Sequence, residues 1–276
     1  MKVFIVGLGL IGASIAEGLK QKGYHLFAYD LDEAVMEEAK KLKLIDETSS
    51  IESLGDAELI ILALYPKDNV SFIQTYQSFL KPGQIITDVS GTKEVMMHDI
   101  EQILPEGISY TSMHPMAGKE TSGFASRNAY LFAHANLIIV KGSKSQDKDE
   151  ILLRNIADDL KFGKITVTDA KTHDLLIAFT SQLTHILAVC LMHVDQNPLT
   201  KEATGDSFRD LTRIAKINEV MWSELFLENK KALIDMIETF ENELKHTKDL
   251  INLEDEEKLK TYLKAAKEKR KSFDIH

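Results

Sequence analysis

The segment Gly7-Leu8-Gly9-Leu10-Ile11-Gly12 constrains this chain more than any other because of what flanks it. An apolar strand pattern, Lys2 to Val6, runs straight into it, and a helical pattern, Leu10 to Lys22, runs straight out. In that setting Gly7 permits a tight turn, Gly9 lets backbone approach a pyrophosphate, and Gly12 lets the helix pack close to the strand. The helix N-terminus, with Leu10 and Ile11 in its first turn, turns free N–H groups and a positive dipole end toward the phosphates. The next strand pattern, His25 to Tyr29, ends beside Asp30, 23 residues after Gly7, where a carboxylate can accept hydrogen bonds from an adenosine ribose. Asp30 would repel a 2′-phosphate, and Leu31 and Asp32 supply no cation to hold one, so the pattern favours NAD over NADP.

The alternation begun there continues. Strand patterns recur at Leu59 to Leu64, Gln84 to Asp88, Ile108 to Met113, Asn136 to Val140 and Lys164 to Val167. Helical stretches lie at Asp32 to Leu42, Asp68 to Leu80, Lys93 to Leu104 and Asp147 to Leu160. Strand and helix in turn predict an α/β, Rossmann-type, doubly wound parallel sheet over residues 1–168. From Asp169 the strand signals stop, and 3.6-period stretches follow at Ala170 to His193, Glu219 to Leu250 and Asp255 to Lys271. Residues 169–276 therefore read as an all-α domain, joined without a low-complexity linker.

Charge and cysteine content narrow the partners. Against 33 Lys and Arg stand 43 Asp and Glu, a net charge of −10, which opposes nucleic acid or an anionic membrane as the main partner. A small anionic substrate must then be held by a few placed cations. The single cysteine, Cys190, cannot form an intrachain disulfide, which fits a reducing cytoplasm. No cleavage-site pattern precedes the first strand, and no uninterrupted apolar run reaches the ~18 residues of a membrane span, so a chain neither exported nor inserted is expected. The cationic residues from Lys258 to Lys271 alternate with Leu259, Leu263 and Ala266, the pattern of a solvated terminal helix.

A nicotinamide carries hydride, so a proton-handling group is needed beside it. His114 lies where the strand Ile108 to Met113 runs out, at the edge of the sheet where ligands collect, and an imidazole titrates in the right range for a general base. On the helical side Ser181 and His185 are four residues apart and share a face, and the loop Gly205 to Arg213 offers two guanidiniums that can grip a carboxylate. Arg209 has Asp206 and Asp210 at hand for a local ion pair, so Arg213 is the stronger ligand candidate. The remaining histidines, His25, His98, His134, His173, His193, His246 and His276, read as surface or core residues, and no pair has metal-ligand spacing with a third ligand.

Taken together these segments resemble the prephenate dehydrogenases of tyrosine biosynthesis over nearly the whole chain. The residues that carry the resemblance are the glycine segment, Thr87-Asp88-Val89-Ser90-Gly91-Thr92-Lys93, His114-Pro115-Met116-Ala117-Gly118, Ser181-Gln182-Leu183-Thr184-His185, and Phe208-Arg209-Asp210-Leu211-Thr212-Arg213-Ile214-Ala215 with Met221-Trp222. The resemblance implies a Rossmann domain followed by a helical dimerisation domain, an active site in the cleft between them, NAD as cofactor, and a homodimer. It implies oxidative decarboxylation of prephenate to 4-hydroxyphenylpyruvate. His114 matches the histidine that hydrogen-bonds the ring hydroxyl, and Arg213 the arginine that binds a substrate carboxylate. His185 matches the second histidine of the helical motif, and Glu120 an acid near the pocket entrance.

Two departures stand out. Family members commonly read Gly-Ser where this chain reads Ser90-Gly91, so either Ser90 or Thr92 supplies the hydroxyl that orients the catalytic histidine. Gln182 and Thr184 replace a histidine and a proline of the helical motif, and an amide can hydrogen-bond a substrate without becoming a cation. Neither a regulatory ACT domain nor a chorismate mutase domain is expected beside these two. The alternatives are an arogenate dehydrogenase, a β-hydroxyacid dehydrogenase, which would need a helical-domain lysine where this chain offers His185, and a non-catalytic NAD-sensing protein.

Overall fold

Strand β3 (Leu59–Leu62) is buried along its whole length, as a central strand covered on both faces must be. In this computed structural model, which describes residues 1–118 and 121–274, it lies within a seven-stranded sheet of order β2-β1-β3-β4-β5-β6-β7. The other strands are β1 (Lys2–Val6), β2 (His25–Tyr29), β4 (Ile85–Asp88), β5 (Ser109–Pro115), β6 (Leu137–Lys141) and β7 (Ile165–Asp169). Helices α1 (Leu10–Gln21), α2 (Glu33–Lys41), α3 (Pro66–Tyr76), α4 (Glu94–Ile103) and α5 (Asp147–Asp159) complete the α/β layers. The period of two along each strand feeds two separate cores. Val3, Ile5, Leu59 and Ile61 pack with Ile15 and Leu19 of α1 and Leu153 and Ile156 of α5. Phe4, Val6, Ile60 and Leu62 pack with Phe72 of α3 and Met96 and Ile100 of α4. The sheet is thus doubly wound, and chain order reverses between β1 and β3, where ligands of such sheets bind.

One part of the parallel expectation is corrected. Strands β1 to β5 are mutually parallel, but β6 pairs antiparallel to β5, with Pro115 opposite Leu137 and Thr111 opposite Lys141. A parallel return needs a crossover, usually a helix. Among the described residues between β5 and β6 there is only the short 3-10 turn Phe124–Ser126, so the chain re-enters beside the end it left. The β5 strand also runs two residues beyond its expected end. His114 is therefore a strand residue, opposite Ile138, rather than the first residue of a loop.

After β7 come α6 (Ala170–Ile177), a π turn (Ala178–Gln182), α7 (Leu183–Val194), α8 (Thr200–Ala203), α9 (Asp206–Thr212) and α10 (Glu219–Glu228). The stretch expected as a loop from Gly205 is mostly helix α9, with Gly205 extended at its N-cap and a 3-10 turn over Arg213–Ala215. The run Ala170–Val194 spans 25 residues, and an 18-residue stretch of it has a mean hydropathy of 1.9, so by length and composition it is long and apolar enough to cross a membrane. Thr180, Ser181 and Gln182 interrupt the apolar run in sequence, and the average along the helix carries across them.

The expected helix from Glu219 to Leu250 is broken at Asn229, between α10 and α11 (Lys230–Asn252). The described chain forms two compact units, residues 1–230 and 231–276. In the second unit α11 meets α12 (Glu256–Lys271) through Tyr262, whose hydroxyl donates to Glu243 Oε1 at 2.7 Å. Its cations are spent on neighbours one turn away, Lys258 with Asp255 and Lys271 with Glu268, as a solvated helix requires.

Candidate active site

The glycine segment folds as a phosphate cradle. Gly7 has φ +87°, a conformation that L side chains resist, and a Cβ there would also stand 2.7 Å from a Leu64 methyl. A Cβ on Gly12 would fall 2.0 Å from the Gly7 carbonyl oxygen, so the strand-to-helix packing excludes any side chain. Gly9 is different: nothing lies within 4 Å of its would-be Cβ, so no protein contact requires a glycine there. Gly9 is the N-cap of α1 and provides no side-chain cap, and the first helical bond of this turn is Ala13 N–H to the Gly9 carbonyl. The N–H groups of Leu10, Ile11 and Gly12 have no intrahelical acceptor and can serve an anion. Asp30 accepts from the Leu8 N–H at 2.7 Å and from the Asp32 N–H at 2.9 Å, which fixes its carboxylate while leaving lone pairs for ribose hydroxyls. These residues fit a dinucleotide.

The two glycines give a test. Gly9→Ala is expected to keep the melting temperature within about 3 °C of the parent, the scale of a lost N-cap preference. It should weaken dinucleotide binding about tenfold or more, read by calorimetric titration. Binding at parental strength would mean that the pyrophosphate does not lie against Gly9.

At the carboxyl ends of β4 and β5 lies a buried charge cluster. Lys93 Nζ and Asp88 Oδ1 are 2.6 Å apart with both side chains fully buried. Asp88 also accepts from the Tyr110 hydroxyl at 2.7 Å and from the Ser90 N–H at 2.9 Å, and Lys93 Nζ donates to the Met113 carbonyl at 3.1 Å. Burial lowers the Lys93 pKa, opposed by Asp88, and raises that of Tyr110 well above 10.

His114 stands next to this cluster, and its ring Nδ1 is 2.8 Å from Nε2 of His173. His173 is fully buried, and its Nδ1 is 2.7 Å from Oδ1 of Asp174. The Asp174 carboxylate accepts from the N–H groups of Lys93 and Glu94 at 2.9 and 2.8 Å, capping α4 from another helix. Burial pushes the His114 pKa well below 6.5, with His173 and Lys93 adding to the effect, and burial likewise lowers that of His173. Both histidines are neutral at pH 7.

His173, which the sequence offers only as a core or surface histidine, is a core residue, and the structure joins it there to His114. Its only signal was adjacency to Asp174. Ser90 does not make the ring hydrogen bond; its hydroxyl accepts from the Asn69 amide at 2.9 Å. The Thr92 hydroxyl is buried without a protein partner. A Cβ on Gly91 would touch two methyls of Leu225 at 3.3 Å, so the loop's glycine sits where α10 presses closest.

On the helical side His185 Nδ1 donates to the Ser181 carbonyl at 2.9 Å, and its ring lies on Trp222 with centroids 3.8 Å apart. Burial lowers the His185 pKa; the Ser181 carbonyl opposes this and the nearby charge of Arg213 adds to it. Arg213 opens the 3-10 turn after α9, and Arg209 pairs with Asp206 and the Thr204 carbonyl. Glu120 falls outside the described residues. Gln182 is structural: its amide donates to the Leu225 carbonyl at 2.9 Å and accepts from Asn229 Nδ2 at 2.8 Å, correcting the expectation that it could reach a substrate. Asn229 also donates to the Asp174 carbonyl at 2.8 Å, which explains the helix break at that position.

Comparison with known proteins matches residues 15–162 to the nucleotide-binding domain of prephenate dehydrogenase and residues 169–265 to its dimerisation domain. The prephenate dehydrogenase of Bacillus subtilis is 30% identical, over 97% of this chain and 75% of that protein. The cyclohexadienyl dehydrogenase of Zymomonas mobilis is 28% identical over 97% of this chain and 94% of its own length. A crystal structure of prephenate dehydrogenase from A. aeolicus, in complex with hydroxyphenyl propionate and NAD+, superposes with a TM-score of 0.88 at 31% identity, covering 99% and 98% of the two chains.

Proposed function

The chain belongs to the prephenate dehydrogenase family, and from that membership we propose that it catalyses the NAD-dependent oxidative decarboxylation of prephenate to 4-hydroxyphenylpyruvate. The observation that carries the reading is a histidine, His114, near the carboxyl end of β5, in the same sheet whose β1 ends in a dinucleotide cradle, with burial holding its pKa well below 6.5. Bound NAD supplies the hydride acceptor. His114 takes the ring hydroxyl proton as the C–H of the same carbon leaves as hydride. The bond to the ring carboxylate breaks, carbon dioxide departs, its electrons complete an aromatic ring, and the proton held by His114 returns to the ring oxygen to give the phenol; aromatisation makes the reaction effectively irreversible. Arg213 holds a substrate carboxylate, supplying the placed cation that a chain of net charge −10 needs, and His185 on Trp222 flanks it.

Both prephenate and arogenate are cyclohexadienes, and likeness to the Zymomonas mobilis enzyme keeps arogenate as a second reading. The two differ by a keto group against an ammonium on the side chain. Initial rates of NADH formation with each substrate at matched concentration separate them. Fast turnover of prephenate is expected; turnover of arogenate alone would reassign the substrate, and silence with both would leave an NAD-binding protein.

Arg213→Ala is expected to raise KM for the substrate about tenfold or more while kcat changes less than about threefold, since a carboxylate anchor acts on ground and transition states alike. An unchanged KM would make Arg213 a structural residue. The dimerisation-domain match and the exposed Leu175, Leu176, Phe179 and Met192 of the α6–α7 run support a homodimer that covers this apolar face. A lone cysteine and a soluble cosubstrate support a reaction in the cytoplasm.

A further inference from the structure

The catalytic histidine does not stand alone, and the order of its partners dictates where its hydrogen sits. A carboxylate can only accept, and that of Asp174 already takes the N–H groups of Lys93 and Glu94. Nδ1 of His173, 2.7 Å away, must therefore carry a hydrogen. In a neutral imidazole the other nitrogen is then a bare acceptor, so Nε2 of His173 receives a hydrogen bond from Nδ1 of His114 at 2.8 Å. By the same rule Nε2 of His114 is left without a hydrogen, the form able to take a proton.

We propose that His173 and Asp174 are positioning residues that lock His114 in its Nδ1–H tautomer, leaving Nε2 as the base. The inference rests on the assignment of His114 to proton removal. The arrangement does what a third member does for a serine-protease histidine, with a histidine and an aspartate in series. When Nε2 gains the substrate proton, the Nδ1 hydrogen can shift toward His173 and the positive charge spreads toward Asp174, which lowers the energy of protonating a histidine that burial keeps neutral. The other ionisable groups facing this pair are Lys93, which opposes protonation, and Asp88, which favours it at His173. Asp174 also caps α4, so its removal would disturb the fold; His173 is the cleaner site for a test.

Two substitutions divide its functions. Asparagine places an amide near the Nδ1 position, so His173→Asn keeps a donor for Asp174 and loses the acceptor for His114. Glutamine reaches the Nε2 position, so His173→Gln keeps an acceptor for His114. In the NAD-loaded enzyme, His173→Asn is expected to lower kcat about tenfold to a hundredfold, the usual effect of losing an outer-shell partner. KM for prephenate and affinity for NAD should stay within about threefold, and His173→Gln should recover most of the rate. Nitrogen-15 spectra of histidine-labelled enzyme, with His114 identified by its absence in His114→Asn, should show a protonated Nδ1 in the parent and a mixture of tautomers in His173→Asn. Parental kcat in His173→Asn, equal losses in both variants, or a His114 ring with hydrogen on Nε2 in the parent would each overturn the proposal. A parent enzyme inactive on prephenate and arogenate alike would remove the assigned reaction, and the Nδ1 signal alone would then decide the pairing.

Discussion

His114→Asn is expected to lower kcat with prephenate by about a hundredfold or more, the range that a placed general base contributes, while NAD affinity is unchanged. Asparagine fills the Nδ1 side of the ring and can still donate to His173, so the packing at the end of β5 survives and the loss falls on proton transfer. The rate at saturating substrate is the quantity to measure, with NAD titration as the control for folding. A variant with near-normal kcat would take His114 out of the chemistry. The same substitution has a signature in stability. The folded pKa values of His114 and His173 lie below the unfolded value near 6.5. As pH falls through 6.5 the unfolded chain binds protons that the folded chain refuses, so stability is full above that pH and declines below it. His114→Asn should flatten this decline in melting temperature between pH 7.5 and 5. The parent should also hold its kcat/KM down to pH 6.5, with the acid limb of His114 lying below.

Lys93→Met is expected to destabilise the protein by about 3–5 kcal/mol at neutral pH, the effect of leaving a buried charge without its partner. Methionine matches the length of the lysine stem, so little packing is lost. What remains is Asp88, fully buried, with only the Tyr110 hydroxyl and the Ser90 N–H to hold its charge. The Met113 carbonyl, one residue before His114, loses its donor as well. Urea denaturation should show the loss, and the double substitution Asp88→Asn with Lys93→Met should regain much of it because no isolated charge is then buried. A single variant within 1 kcal/mol of the parent would mean that water or a shifted side chain relieves Asp88.

Much of this molecule could be read from the chain because its local signals agree with its global fold. The glycine segment and the succession of strands and helices follow from periodicity and turn chemistry, and the pairing of Arg209 follows from the carboxylate beside it. Other features depend on contacts distant in sequence. His173 meets His114 across 59 residues. Asn229 reaches Asp174 across 55. No spacing rule connects either pair. The reversal of β6 was missed for a different reason: its strand pattern is ordinary, and only the missing crossover helix distinguishes a parallel from an antiparallel return. Gln182 was misjudged because a motif position was read as a pocket position, whereas both ends of its amide are occupied by α10 and Asn229.

The π turn at Ala178–Gln182 has a consequence in helical phase. His173 and His185 are twelve residues apart, and at about 100° per residue an unbroken α-helix would set them about 120° out of phase, on different faces. A π turn absorbs one extra residue, so the two are separated by eleven effective steps and fall within about 20° of each other, roughly 16 Å apart along the axis. The wide turn thus brings a histidine that partners His114 and a histidine stacked on Trp222 onto one side of a single helical run. Closing the wide turn into regular α-helix with every residue kept would leave the run helical and apolar, yet it would rotate one of the two histidines about 100° out of line with the other.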